Sequence, residues 1–103
     1  MDINYKSNKL KKQCTELSKA QKEFGKQIAI KLFQRINEFK ASSNLKDMEK
    51  IRSARLHELS GKRKGQYAVD LTGNYRLIFT ADDGNIKLEK IEVVRIEEVV
   101  DYH

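Results

Sequence analysis

His57 and His103 are the only two histidines of the chain, and both fall in segments that read as β-strands, so a meander could bring them together. Imidazole titrates near neutral pH and suits a general base or acid. Arg76 alternates with Tyr75, Leu77 and Phe79. If those three face a core, Arg76 projects from the other side of its strand. There its permanent charge could clamp a phosphate bidentately. Lys62, Arg63 and Lys64 form a basic loop, preceded by Lys50, Arg52 and Arg55. Residues 50–64 thus hold six basic residues against one acidic, Glu58. Tyr102 could stack on a base or orient a proton. Asp101 could orient His57, His103 or Arg76.

Each residue also has a plainer reading. A strand histidine is ordinarily half-buried, and a terminal residue such as His103 is often disordered. A basic run is usually a solvated loop. Arg76 could pair with a last-strand acid such as Glu92, and Tyr102 could anchor the terminus in the core. The first set of readings shares one chemistry, proton transfer beside a bound phosphate.

Charge is distributed in keeping with that chemistry. The net charge is +6, but residues 1–81 hold 18 Lys/Arg against 8 Asp/Glu, whereas residues 82–103 hold 3 against 7. A cationic body displaces counterions from a polyanion; alternatively it simply keeps a protein soluble. The single cysteine, Cys14, rules out an internal disulfide framework and lacks cysteine partners for zinc. It reads as a half-buried helix residue, and no cofactor is called for. The N-terminus MDINYKSNK has no apolar core of a signal peptide. No apolar run approaches the ~18 residues of a membrane span, so a cytoplasmic location is expected.

The elements that must position these residues come in two halves. A short helix is expected near 7–15, with Leu10 and Cys14 one turn apart. Ser18 and Gln21 have capping-box spacing, so a second helix is expected over 18–40. Its stripe is Phe24, Ile28, Leu32, Ile36 and Phe39, joined by Ala29 and Phe33. Gly25 would be a weak point inside it, costing about 1 kcal/mol against alanine. Asn44 could cap a further turn.

The period then shifts to two. Strands are expected near 54–60, 66–71, 75–81 and 87–100. Thr72-Gly73-Asn74 closes a hairpin, with Gly73 available for a positive φ. A slip of the alternation at Glu97-Glu98 suggests a bulge. Tyr67, Tyr75 and Phe79 read as core. Helices followed by an antiparallel meander make one α+β domain over residues 1–103, in which neither connection between the last three strands is long enough for a parallel crossover.

Three pieces of this pattern, in order, resemble a known family. They are Leu56-His57-Glu58-Leu59 leading to Gly61-Lys62-Arg63-Lys64-Gly65-Gln66-Tyr67, then Gly73-Asn74-Tyr75-Arg76-Leu77-Ile78-Phe79, then Val100-Asp101-Tyr102-His103. The sequence is similar to HigB-like toxins of the RelE/ParE toxin–antitoxin superfamily. The motifs cover roughly residues 51–103, and the helical half agrees in layout.

The resemblance implies a RelE-like fold, two to three N-terminal helices packed on one face of a curved antiparallel sheet. It implies a ribosome-dependent mRNA endonuclease whose nucleophile is the RNA 2′-hydroxyl. His57, Arg76, His103, Tyr102, Asp101, Lys62 and Lys64 would be its catalytic set. Lys50, Arg52, Arg55, Lys62, Arg63 and Lys64 would bind RNA. It further implies a HigA-like helix-turn-helix antitoxin, a monomeric free toxin and a higher-order complex with that antitoxin. Many HigB-like sequences carry lysine where this chain has Ser60, so Lys62 or Lys64 would substitute, or the activity would be weaker. The alternatives are a ParE-like inhibitor of gyrase and a non-enzymatic basic binding module.

Overall fold

The computed structural model describes residues 1–101. The chain is α+β, with helices packed on one face of a five-stranded sheet. Its elements are β1 (Asp2–Tyr5), α1 (Asn8–Thr15), α2 (Leu17–Phe24), α3 (Lys26–Ala41), α4 (Leu45–Glu49), β2 (His57–Glu58), β3 (Gln66–Asp70), β4 (Tyr75–Ala81) and β5 (Val93–Asp101). The strand order is β1-β5-β4-β3-β2.

Helix starts follow local chemistry where a side-chain cap exists. The Ser7 hydroxyl accepts from the Leu10 amide at 3.1 Å and opens α1. The Asn44 carbonyl oxygen accepts from the Asp47 amide at 3.2 Å and opens α4, as expected. The expected helix over 18–40 is instead two helices. Gly25 takes φ +86, a left-handed conformation, ends α2 and begins α3. The Ser18/Gln21 capping box does not form, because α2 begins at Leu17 behind Glu16 with no side-chain cap. Cys14 is 1% exposed, so it is fully rather than half buried.

The hairpin joining β3 and β4 closes with the Leu71 amide donating to the Tyr75 carbonyl at 2.9 Å. Gly73 supplies no positive φ there. β3–β4 and β4–β5 are both antiparallel, as expected. The ladder pairs Ile78 with Glu98 and Phe79 with Ile96, so Glu97 is the extra residue of a bulge where the alternation slips.

Three strand expectations change. β1 pairs parallel with β5, so the sheet is mixed. Four residues carry too little pattern to declare a strand, and their partner lies about ninety positions away in the chain. The strand expected over 54–60 shrinks to His57–Glu58, because Arg52–Ala54 form a 3-10 turn and Arg55 turns left-handed at φ +45. The last strand begins at Val93, after a 3-10 turn at Leu88–Lys90.

The core lies between helices and sheet. Leu32, Ile36 and Phe39 of α3 meet Tyr67, Val69, Leu77, Phe79, Val94 and Ile96 of the strands. Phe79 is the hinge of the aromatic packing. It meets Phe39 edge-on at 4.9 Å and stacks on Tyr67 at 5.7 Å. Tyr75 packs partly buried against this cluster. Among the described residues no helix is long and apolar enough to cross a membrane.

Candidate functional site

Because side chains alternate across a strand, the residues between those core positions share the opposite face. The ladder sets them in rows. His57 stands opposite Ala68, Ala68 opposite Ile78, and Ile78 opposite Glu98. One row toward the hairpin lie Asp70, Arg76 and Val100; one row the other way lie Gln66, Thr80 and Arg95. His57 and Arg76 therefore share this face, with Cα atoms about 12 Å apart from strand spacing and rise.

His57 is half-buried at the sheet edge. Its Nδ1 lies 2.8 Å from the Arg55 carbonyl oxygen. A carbonyl can only accept, so the proton of a neutral ring sits on Nδ1 and Nε2 is the acceptor. His57 also borders a hollow of about 280 Å³, lined further by Glu49, Leu56, Glu58, Tyr67, Ile86 and Leu88. Burial, aided by the Glu58 charge, pushes the Tyr67 hydroxyl above the usual phenol range.

Arg76 does lie opposite the core side, but it is not the isolated surface charge that the alternation suggested. Its side chain is 15% exposed, and Nε lies 2.9 Å from Asp70 Oδ1. Nη1 donates to the carbonyls of Thr72, Gly73 and Tyr75 at 3.1–3.3 Å. The acid it meets is thus Asp70 rather than Glu92. A bidentate phosphate clamp through Nε and Nη1 is unavailable while these bonds hold.

Asp70 also takes Arg55. Arg55 Nε donates to Oδ2 at 2.8 Å and Nη2 to Oδ1 at 3.2 Å. In the sequence Asp70 simply alternates with Val69 and Leu71. The signal was available, though: a three-residue hairpin loop sets residue 70 opposite residue 76.

Lys62 and Lys64 stand exposed in the turn between β2 and β3, at the end of β3 remote from Asp70. Neither has an ion pair among the described residues. Between them, Arg63 pairs with Glu98 at 2.6 Å and donates to Gln66 at 3.1 Å. Arg95 pairs with Glu97 at 3.4 Å. Lys50 lies 3.8 Å from Asp47, and Arg52 is exposed in the preceding turn. The ladder sets Asp101 opposite Tyr75, next to Val100, which stands opposite Arg76. Tyr102 and His103 lie outside the described residues.

The face is therefore a strip with His57 at mid-length, the Arg76–Asp70–Arg55 group toward one end and the Lys62–Lys64 loop at the other. It can accept a proton at Nε2 between two cationic ends. Among the described residues no cluster of His, Cys, Asp or Glu could hold a metal ion. Cys14 is not part of the strip, and burial pushes its thiol up to about 12.

A family model described as the RelE-like toxin of the type II toxin-antitoxin system HigB matches residues 4–103. The chain belongs to this family of HigB-like toxins. No curated protein matches it at a significant level. Among solved structures, the toxin resembles YafQ from E. coli strain BL21(DE3), with TM-score 0.62 and 18% identity over 97% of this chain and 91% of that one. It resembles the YoeB-YefM complex from Staphylococcus aureus, with TM-score 0.61 and 16% identity over 100% and 97%. It also resembles the YoeB/ParE toxin from Agrobacterium tumefaciens, with TM-score 0.58 and 8% identity over 100% of both chains. At such identities the likeness establishes a shared RelE-like fold.

Proposed function

We propose that this HigB-like toxin cuts messenger RNA held on the ribosome, with the 2′-hydroxyl beside the scissile phosphate as nucleophile. The observation that carries the reading is the Nδ1–H bond of His57 to the Arg55 carbonyl, which keeps Nε2 as a proton acceptor on the cationic strip.

In the step, Nε2 takes the 2′-hydroxyl proton and the 2′ oxygen bonds to phosphorus. The bond from phosphorus to the 5′ oxygen breaks, and that oxygen receives a proton from an acid. The products are a 2′,3′-cyclic phosphate and a 5′-hydroxyl; neither metal nor cofactor enters the step. His103 serves as the acid, Tyr102 stacks on a base and Asp101 orients its neighbours. Arg76, Lys62 and Lys64 face the charge that builds on the phosphorane. Lys62 or Lys64 stands in for the lysine that many relatives carry at the Ser60 position. Lys50, Arg52, Arg55 and Arg63 follow the RNA backbone, Lys50, Arg55 and Arg63 more weakly because each already meets a carboxylate.

Few proton-transfer groups are at hand, so the ribosome must hold the message for in-line attack. Efficient cleavage of naked RNA, at the rate for ribosome-bound message, would contradict this. The same reading takes residues 1–103 as one toxin domain acting in the cytoplasm, monomeric when free. It pairs the toxin with a HigA-like helix-turn-helix antitoxin in a higher-order complex. The heterotetrameric YoeB-YefM complex of Staphylococcus aureus supports an antitoxin partner.

Expression of the toxin followed by mapping of cellular mRNA 5′ ends tests the reading. Cuts phased to codons are expected. A DNA-damage response without mRNA cuts would point to gyrase, as for a ParE-like toxin. Absence of toxicity would leave a basic binding module.

A further inference from the structure

We propose that Asp70 is the positioning residue that sets both His57 and Arg76. The inference deepens the endonuclease reading and rests on it for its catalytic consequence, though not for its geometry.

The route to Arg76 is direct, Nε to Oδ1 at 2.9 Å across the β3–β4 ladder. That contact holds the guanidinium at a fixed angle, and the turn carbonyls hold its other edge. The route to His57 passes through Arg55. The Asp70 carboxylate grips the Arg55 side chain with two hydrogen bonds. Arg55 is the only non-glycine residue with positive φ among the described residues, and a side chain in that region is held there against local strain. The left-handed turn is what delivers the Arg55 carbonyl to His57 Nδ1 at 2.8 Å. One carboxylate thereby fixes the tautomer of the base and the angle of the cation.

The backbone that carries the carboxylate is itself anchored. Arg35, 2% exposed in α3, donates Nε to the Asp70 carbonyl at 2.7 Å and Nη2 to the Ser53 carbonyl at 2.8 Å. It ties the backbone at Asp70 and the turn before Arg55 to the same helix. Neutralising Asp70 removes an acceptor that serves two arginines, whereas its backbone anchor stays in place.

The test compares wild type, Asp70→Asn and Arg55→Ala in the full chain. Alanine, like arginine, disfavours the left-handed region, so Arg55→Ala removes the grip but keeps the strain that should then turn the carbonyl away from Nδ1. Arg55 is 55% exposed, which keeps that variant foldable if Asp70→Asn is not. Nitrogen-15 NMR of the imidazole reads the tautomer. Wild type should show protonated Nδ1, and both variants a mixture of tautomers. Single-turnover cleavage of ribosome-bound mRNA should slow about a hundredfold in Asp70→Asn, as for loss of an oriented proton-transfer group, with ribosome affinity unchanged. Arg55→Ala should slow less, because Arg76 keeps its partner, and the double variant should be no slower than Asp70→Asn.

Folded variants with the wild-type imidazole signature overturn the proposal whatever their cleavage rates. If wild type cuts no mRNA, the endonuclease reading fails, and the NMR result still decides whether Asp70 sets His57.

Discussion

Arg76 Nε lies 2.9 Å from Asp70 Oδ1, directly across the β3–β4 ladder, and both side chains are mostly buried. A cation in that position carries structure as well as chemistry. Arg76→Ala should abolish growth arrest and also lower stability by about 1–2 kcal/mol. The lost bonds include one to a charged group, while Arg55 still covers the carboxylate. A surface arginine would cost no more than about 0.5 kcal/mol. Urea unfolding read by circular dichroism, beside a growth assay, separates the two. Arg76→Lys keeps the charge but not the planar fork, and its toxicity should fall. A fully toxic lysine variant would move the phosphate contact to Lys62 and Lys64.

Arg35→Ala should be the more damaging change. It strands the Asp70 and Ser53 carbonyls and one carboxylate oxygen of Glu38 in a site where Arg35 is 2% exposed. A loss of about 3 kcal/mol or more is expected, because removal of one partner leaves desolvated groups unpaired. A urea midpoint within error of wild type would contradict it.

Gly25 offers a test of sign. In a helix interior, Gly25→Ala would stabilise by about 1 kcal/mol. At φ +86 the same substitution should destabilise, by about 1 kcal/mol, through backbone strain alone, since nothing stands within 4 Å of an added Cβ. Thermal unfolding of the variant reads the sign directly.

Asp83 governs an acid dependence. Its carboxylate accepts from the Glu92 amide at 2.9 Å, the Asn85 amide at 3.2 Å and the Val93 amide at 3.3 Å. The Glu92 bond foremost, with the Asn85 and Val93 amides and against an opposing effect of burial, holds the carboxyl below the usual carboxylate range. A depressed folded value means the contribution is fully present above the unfolded value near ~4. It is lost as pH falls through the folded one. Wild type should therefore exceed Asp83→Ala in stability at pH 7, and the gap should close in acid. The site is exposed and screened, so the gap should stay below about 1 kcal/mol. Paired urea titrations at pH 7 and pH 3 measure it.

What could be read from the residues alone was whatever depends on near neighbours. The stripe of Leu32, Ile36 and Phe39, the Asn44 cap, the β3–β4 hairpin and the slip at Glu97 each express a periodicity or a cap within a few positions. So does the expectation that Arg76 would face away from Tyr75, Leu77 and Phe79. The tertiary structure decided what depends on segments distant in the chain. β1 becomes a strand because β5 offers an unpaired edge. Arg35 belongs in the core because two carbonyls from other segments end beside it. Gly25 breaks a helix whose periodicity runs straight through it, because backbone conformation and not side-chain pattern differs there. The tautomer of His57 is set in the same way. A histidine in a strand has no inherent choice of ring nitrogen, and it acquires one only where a left-handed turn, gripped by a carboxylate fifteen residues on, aims a carbonyl at Nδ1.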